Sequence, residues 1–283
     1  MTVVNGYCSL NDFKAYITSP GIELNPDNLD DQVIEDVIVR ASRRLDDLTG
    51  RRFYPRIETR YYNTPKYDVL SLDDDLLDVI TLTNGDGSTI ASSDYVLQPI
   101  NEYPKYEIKL RDIATIYFTL TNASSRDKAI ILLAYWGWRD RYAAEGWKLG
   151  STINEAGNLN ATDINFTLSS GVGFTTDQII KIENELMIVS GISGASGNDI
   201  NVIARGSNGS SAATHANSTA VYIWQPQDDI TALALEIARI MYRSRYGENI
   251  ETTAITTPAG VIVTPRSLPV WAQEVIGRYQ RLY

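Results

Sequence analysis

The stretch from Asn28 to Phe53 reads NLDDQVIEDVIVRASRRLDDLTGRRF and carries the strongest helical pattern in the chain. Its apolar residues recur at steps of three and four, as one face of a helix requires. They are Ile34, Val37, Ile38, Ala41, Leu45 and Leu48. Acidic residues at the start and arginines towards the end suit the helix dipole. Because Gly50 can adopt the left-handed conformation that closes a helix, we predict a helix that ends there.

Helical patterns recur near both ends of the chain. We predict a short helix from Ser9 to Ile17 with Ser9 as its cap, and a longer one from Asp228 to Gly247. Residues 248–266 are rich in Thr and Pro and predict an extended arm. Pro269 then begins a terminal amphipathic helix. A terminal helix after a loose arm is typical of a docking element.

Between Ile57 and Trp138 the apolar residues alternate, which favours an antiparallel sheet. A hairpin turn is predicted at residues 84–87, Asn-Gly-Asp-Gly. The predicted strands include Val79–Thr83, Asp94–Gln98, Tyr106–Leu110, Thr115–Leu120 and Ala129–Trp136.

The acidic residues Asp73, Asp74, Asp75 and Asp78 lack the alternating ligands and central Gly of a calcium loop, so a solvated acidic turn is favoured.

From about Gly150 to Ala220 the chain is rich in Gly, Ser, Asn and Thr, with short strands between tight turns. The predicted strands are Ile164–Leu168, Gln178–Glu183, Leu186–Ser190, Asp199–Ala204 and Ala220–Trp224. We therefore predict an α+β protein with an inserted small all-β domain. Its divisions are residues 1–149, helices plus a β layer; 150–225, the inserted domain; and 226–283, a helix, an extended arm and a docking helix.

Composition narrows the function. A net charge of −10 argues against a protein that binds nucleic acid by neutralising phosphates. Seventeen Tyr and five Trp suit either surfaces buried on assembly or Tyr-rich sheet faces. One Cys and one His leave little for a disulfide, a zinc site or a catalytic triad. The sequence predicts neither a signal peptide nor a membrane span, and hence folding in the cytoplasm.

Catalysis would have to use Ser210, Ser211, His215 and a carboxylate in a turn-rich segment. Such a set would be loosely held, and nothing resembles a nucleophile elbow. We therefore predict no enzymatic activity, no metal and no cofactor. His215 is interpreted as a structural side chain that bonds loop carbonyls.

Four segments together resemble a known family. They are ASRRLDDLTGRRFYPRIETRYYN at Ala41–Asn63, the DDDLLDVITL, SSDYVLQP and YEIKL runs that follow, AIILLAYWGW ending in Trp136, Gly137 and Trp138, and a two-part pattern in the inserted domain. That pattern is I-x-I-x-x-E-x-M-x-V from Ile180 to Val189, then R-G-x-x-G-[ST]-x-A-A-x-H from Arg205 to His215. The chain resembles the head-tail connector, or adaptor, proteins of tailed bacteriophages, and the insert resembles β modules of phage connector and tail proteins.

The resemblance implies a helical connector core and a structural virion protein at the head-tail interface. Connectors of this kind form a ring, usually of twelve copies, beneath the portal protein of a filled capsid. The ring joins the capsid to the tail, or to its stopper or nozzle protein, and DNA passes through the lumen without specific binding. The structural residues of the family motifs are Gly50, Arg51, Phe53, Trp136, Gly137, Trp138, Arg205, Gly206, Gly209 and His215.

The expected portal-docking residues are Trp271, Val275, Tyr279 and Leu282 of the last helix, with Val261, Ile262 and Val263 of the arm. The inserted domain is expected to be peripheral. The alternative function is a carbohydrate- or fibre-binding tail or baseplate module that uses Tyr222 and Trp224. A sugar platform would need those aromatic faces open to solvent.

Overall fold

A computed structural model describes residues 3–18, 30–112, 115–121, 124–245, 255–256, 262–263 and 268–281. This part of the chain is mostly β, with two antiparallel six-stranded sheets. The expected helical connector core is therefore wrong. The strong helical patterns lie near the two ends of the chain, and the long stretch between them, residues 56–224, runs mainly in strands. The helices form a layer on those strands instead of a core of their own.

The described helices are α1 (Leu10–Ile17), α2 (Asp31–Thr49), α3 (Tyr142–Glu145), α4 (Asp228–Arg245) and α5 (Val270–Tyr279). All except α3 were predicted from the sequence. Ser9 caps α1 in a capping box with Asp12, as its sequence position predicts. Gly50 ends α2 with φ of +67°, which confirms the predicted left-handed stop. The predicted end of α4 at Gly247 lies outside the described residues.

The first sheet comprises β1 (Arg56–Tyr62), β2 (Val69–Thr83), β3 (Thr89–Ile90), β4 (Tyr95–Gln98), β5 (Lys105–Leu110) and β6 (Ile130–Trp136). Its order is β1-β6-β2-β5-β4, with β3 paired to β2. The β2–β3 hairpin turns at residues 84–87, as predicted. The predicted strand Thr115–Leu120 does not form, because Asn84 and Thr64 side chains bond the backbone of Tyr117 and Thr119.

The second sheet comprises β7 (Trp147–Thr152), β8 (Asn165–Thr167), β9 (Ile179–Ile182), β10 (Glu185–Ser193), β11 (Asp199–Val202) and β12 (Ala220–Trp224). Its order is β7-β12-β9-β10-β11-β8. A bridge between Ile153 and Leu168, with Ser169 N donating to Thr152 O at 2.9 Å, joins β8 back to the end of β7. The sheet is thus a small closed barrel, and it begins just ahead of the predicted boundary at 150.

Buried side chains form three groups. The barrel interior holds its own, which includes Phe166, Ile180 and Met187, and a second lies on one face of the first sheet around Trp136. The third lies beneath the helices and also takes in residues from both sheets. It therefore joins the two lobes of the fold, which are the first sheet and the barrel.

The acidic run of β2 is not the solvated turn that the sequence favours. Asp73, Asp74 and Asp75 lie within the strand, and each pairs with arginine. The pairs are Arg60 with Asp73, Arg56, Arg60 and Arg281 with Asp74, and Arg51 with Asp75. Neutralisation by arginines from distant parts of the chain lets these carboxylates occupy a strand.

None of the helices within the described ranges combines the length and apolar character that crossing a bilayer requires.

Candidate functional site

Three motif residues of the N-terminal half, Arg51, Phe53 and Trp138, converge on the end of α5. Gly50 turns the chain out of α2, and Arg51 then reaches two partners. Its Nε donates to the backbone oxygen of Tyr279 at 2.7 Å, and its Nη1 pairs with Asp75. Burial raises the pKa of Asp75, and Arg51 opposes that rise only in part. This arginine therefore ties α5 to a buried carboxylate of the first sheet.

Aromatic rings also pack around the last turn of α5, at the site that we call the seat of α5. Phe53 makes edge-to-face contacts with Tyr7, Trp138 and Tyr279, with ring centroids 5.6–5.8 Å apart. Trp138 and Tyr279 lie 4.7 Å apart, also edge to face. Such pairs contribute about 0.5–1.5 kcal/mol each beyond the area that they bury. The four rings fix the last turn of α5 against the body of the protein.

Trp136 and Gly137 have separate roles beside this seat. Trp136 is fully buried in the first sheet, where its Nε1 donates to Glu58 O at 3.1 Å and the Arg60 guanidinium lies over its ring. Gly137 follows the strand with φ of +145°, and a Cβ there would lie 2.5 Å from Tyr54 O. Only glycine allows this close approach. The strand β6 ends at Trp136, as predicted.

The structure divides the predicted docking residues of α5. Tyr279 is only 6% exposed and Val275 is half-buried against the same core, whereas Trp271 is 42% exposed. The neighbouring Val270, which sequence reasoning missed, is 68% exposed. The outward apolar surface of α5 is thus Val270 and Trp271 at its first turn. The binding of Trp271 to a portal stays a prediction.

The remaining arm residues are described only in part. Ile262 and Val263 form β14, which pairs with β13 (Ile255–Thr256) in a two-stranded ribbon. Val261 and Leu282 lie outside the described residues. Arg281, just after α5, donates from its backbone N–H to Thr49 O at 2.8 Å and from its side chain to Asp74. Sequence reasoning missed this anchor, because an isolated arginine after an amphipathic helix carries no distinctive pattern.

The motif of the inserted domain forms a buried polar cluster. Glu185 accepts hydrogen bonds from Arg205 Nε and Nη2, both at 2.8 Å, and from the N–H groups of Gly206 and Ala213. His215 is also buried, with Nε2 2.7 Å from Glu185 Oε2 and Nδ1 2.8 Å from Glu183 Oε2. The predicted contact of His215 with loop carbonyls is therefore wrong, since its partners are carboxylates.

Electrostatics stabilise the ionised form of Glu185. Burial acts to raise its pKa, but hydrogen bonds from Arg205, His215 and the two backbone N–H groups outweigh burial, so the pKa lies below its ordinary value. Arg205 also donates to the backbone oxygens of Asn160, Asp163 and Ala213. The cluster thereby links the connection between β7 and β8 to the connection between β11 and β12. Ser210 donates instead to Ser207 O and Leu186 O, so it does not form a Ser–His pair with His215.

The two motif glycines place this cluster against the first sheet. Gly206 has φ of +66°, which allows the turn after Arg205. Gly209 has φ of +80°, and a Cβ there would lie 2.1 Å from Ile57 O. The adjacent Asn208 accepts a hydrogen bond from Ile57 N at 2.9 Å. The glycine therefore permits direct backbone contact between the barrel and β1.

A cleft of about 790 Å³ opens where the helices meet the barrel. Its polar groups serve the fold: Asp177 accepts from Val3 N and Leu10 N, and Arg139 donates to Gln225 O and Gln227 Oε1. Trp224 lines the cleft but is only 4% exposed, so it does not present the flat face that a sugar platform needs. Within the described ranges, no three His, Cys, Asp or Glu side chains are grouped to hold a metal ion.

Comparison with protein-family models finds no match, and comparison with curated protein sequences finds none either.

Proposed function

We propose that this protein is a structural adaptor of a tailed bacteriophage virion, which forms a ring beneath the portal and joins the DNA-filled capsid to the tail. The fold is mostly β, so the helical core that the resemblance implied does not support the proposal. The proposal therefore rests on the motif residues and on the C-terminal helix. DNA would pass through the ring without specific binding, and the expected number of copies is twelve.

The observation that carries the proposal is the split surface of α5. Its inner side, at Ala272 and Tyr279, is held in the shared core, while Val270 and Trp271 face outward at its first turn. A tryptophan on a rigidly seated helix suits an interface anchor, because little conformational freedom is lost when it binds. The arm that precedes α5 would add extended contacts to the same partner.

The overall charge suits the proposed channel. With a net charge of −10, an acidic lumen would repel DNA phosphates and let the genome slide. A ring contact joins two different faces of neighbouring copies and closes only at the correct rotation. An assembled ring with a basic channel wall would remove the sliding argument.

The test is sedimentation of the purified protein with portal rings from the same virus. We expect the wild-type protein to co-sediment as a closed multimer, and Trp271→Ser to weaken binding at least about tenfold. The matched control is Tyr67→Ser, because Tyr67 is also exposed but lies between β1 and β2. Equal binding by Trp271→Ser and wild type would contradict the role of α5, and no binding by the wild type would contradict the proposal.

A further inference from the structure

The outer face of the barrel is covered on one side and open on the other. Ile179, Leu186 and Ile188 point out of the barrel into the core beneath the helices. One cross-strand row runs through the register pairs Leu149–Tyr222, Tyr222–Lys181 and Lys181–Leu186. Along this row burial declines from Leu186, which is inaccessible, to Leu149, which is 58% exposed. The row thus leads from the core to an open apolar edge.

Lys181 occupies an aromatic box in the middle of this row. Its Nζ lies 4.6 Å from the ring centroid of Trp147 and 5.5 Å from those of Tyr135 and Tyr222. Aromatic faces attract a cation, by about 0.5–2 kcal/mol depending on solvent exposure. The three rings come from β6, β7 and β12, so the box spans both lobes. It holds the ammonium group in a fixed position at the surface.

The ammonium group in this box retains unused hydrogen-bonding capacity. Among the described residues, Lys181 forms neither an ion pair nor a side-chain hydrogen bond. Burial lowers its pKa, and the negative charge of Asp78 opposes that change. The aromatic faces attract the positive charge of the ammonium group, but they offer no oxygen or nitrogen atom to accept its N–H hydrogen bonds. A carboxylate from outside would supply the missing acceptor and neutralise the charge.

A second copy of this chain fits that requirement by charge. The chain carries 35 acidic residues against 25 lysines and arginines, so carboxylates are the commoner charged groups that one copy offers to another. Like charges at such a contact would repel unless cations were placed to meet them. The open edge at Leu149 and Tyr222 supplies apolar and aromatic area around Lys181, as the centre of an interface does.

We propose that the surface formed by Trp147, Leu149, Lys181 and Tyr222 binds an acidic segment of a neighbouring copy, with Lys181 pairing to its carboxylate. This inference rests on the proposed function, because it names one side of the contact within the ring. It gives the barrel a role in joining copies, beyond the peripheral position expected from the sequence. The ring contact is then heterologous, with the barrel of one copy on an acidic surface of the next.

The experiment measures acetylation of lysines by a dilute amine-reactive acetylating reagent, with mass spectrometry of each site. The full chain is labelled as dilute monomer, as multimer at high concentration, and bound to portal rings. Lys148 is the internal control, since it lies in β7 between Trp147 and Leu149 but lines the cleft. We expect the acetylation rate of Lys181 to fall at least about tenfold on assembly, while Lys148 changes less than about twofold.

Variants give an independent readout. Lys181→Met keeps the aliphatic stem in the box and removes the charge, and we expect it to weaken multimer formation at least about tenfold. Lys148→Met should assemble like the wild type. Thermal unfolding of each variant separates loss of assembly from loss of folding. If Lys181→Met unfolds, the labelling result alone decides.

The outcomes separate this inference from the proposed function. A multimer in which Lys181 is acetylated at the monomer rate overturns this inference and leaves the adaptor proposal standing. A folded Lys181→Met variant that assembles normally does the same. Absence of any multimer, alone or on portal rings, overturns both.

Discussion

Arg51 Nε donates a hydrogen bond to the backbone oxygen of Tyr279 across 2.7 Å, so the residue that follows the end of α2 holds the last turn of α5. The same guanidinium pairs through Nη1 with Asp75, whose side chain is inaccessible to solvent. One side chain thus joins α2, β2 and α5. The position of the C-terminal helix depends on a buried charge pair.

We expect Arg51→Met to lower the free energy of unfolding by about 3–5 kcal/mol, because it leaves the buried carboxylate of Asp75 without its partner. The amides of α5 should also exchange hydrogen faster, since the bond to Tyr279 O is lost. Urea unfolding and hydrogen exchange measure the two effects.

The control for this prediction is Arg52→Met, because Arg52 is adjacent and exposed. It should change stability by less than about 1 kcal/mol. Asp75→Asn added to Arg51→Met should recover part of the loss, since it removes the stranded charge. Equal effects of the Arg51 and Arg52 substitutions would show that the buried pair is unimportant.

Gly209→Ala should destabilise the contact between the two lobes. A non-glycine residue in the left-handed region costs about 1–2 kcal/mol, and the new Cβ would also lie 2.1 Å from Ile57 O. Gly87→Ala is the matched control, because Gly87 has φ of +84° but no atom within 4 Å of a Cβ. We expect Gly209→Ala to cost at least about 2 kcal/mol more than Gly87→Ala in urea unfolding. Similar costs would place the strain in backbone conformation alone.

Acid should destabilise the protein through Glu185. Its folded pKa lies below the ordinary value, so its contribution to stability is present above the unfolded pKa of about 4.3 and is lost as pH falls through the folded pKa. Glu185→Gln should lower the free energy of unfolding by about 3–5 kcal/mol at neutral pH, because the buried guanidinium of Arg205 loses its charged partner. The difference from wild type should shrink as the pH is lowered below about 4.

The control for the acid experiment is Glu183→Gln. Glu183 contacts the same histidine, but its side chain is 63% exposed, so its pair should contribute no more than about 1 kcal/mol. Urea unfolding at several pH values measures both variants. A stability difference between Glu185→Gln and wild type that persists unchanged in acid would contradict the assignment.

The elements that the sequence predicted well are those governed by local chemistry. Gly50 located the end of α2, the Asn-Gly-Asp-Gly run located a hairpin, and most strands of the barrel followed from alternation between turns. Each of these signals resides within a few consecutive residues. Local patterns were therefore sufficient for them.

The failures involve partners that are distant in sequence. Asp73–Asp75 disfavour a strand by propensity, and ion pairs with Arg51, Arg56, Arg60 and Arg281 stabilise them there. Likewise, the spacing of α5 showed which residues share an apolar face but not what that face contacts. The class assignment erred for the same reason, because long periodic helices stand out in a sequence whereas short strands gain weight only when they pair.

Substitutions in α5 distinguish the two sides of that helix. Tyr279→Ala should lower the free energy of unfolding by about 3–5 kcal/mol, because Tyr279 packs against Phe53 and Trp138 in the core. Trp271→Ala should cost less than about 1 kcal/mol, since 42% of its surface is already exposed. Chemical denaturation of the two variants measures this contrast. If instead Tyr279→Ala leaves stability unchanged while Trp271→Ala lowers it, the outward side of α5 is its packed side, and Trp271 could not anchor a partner.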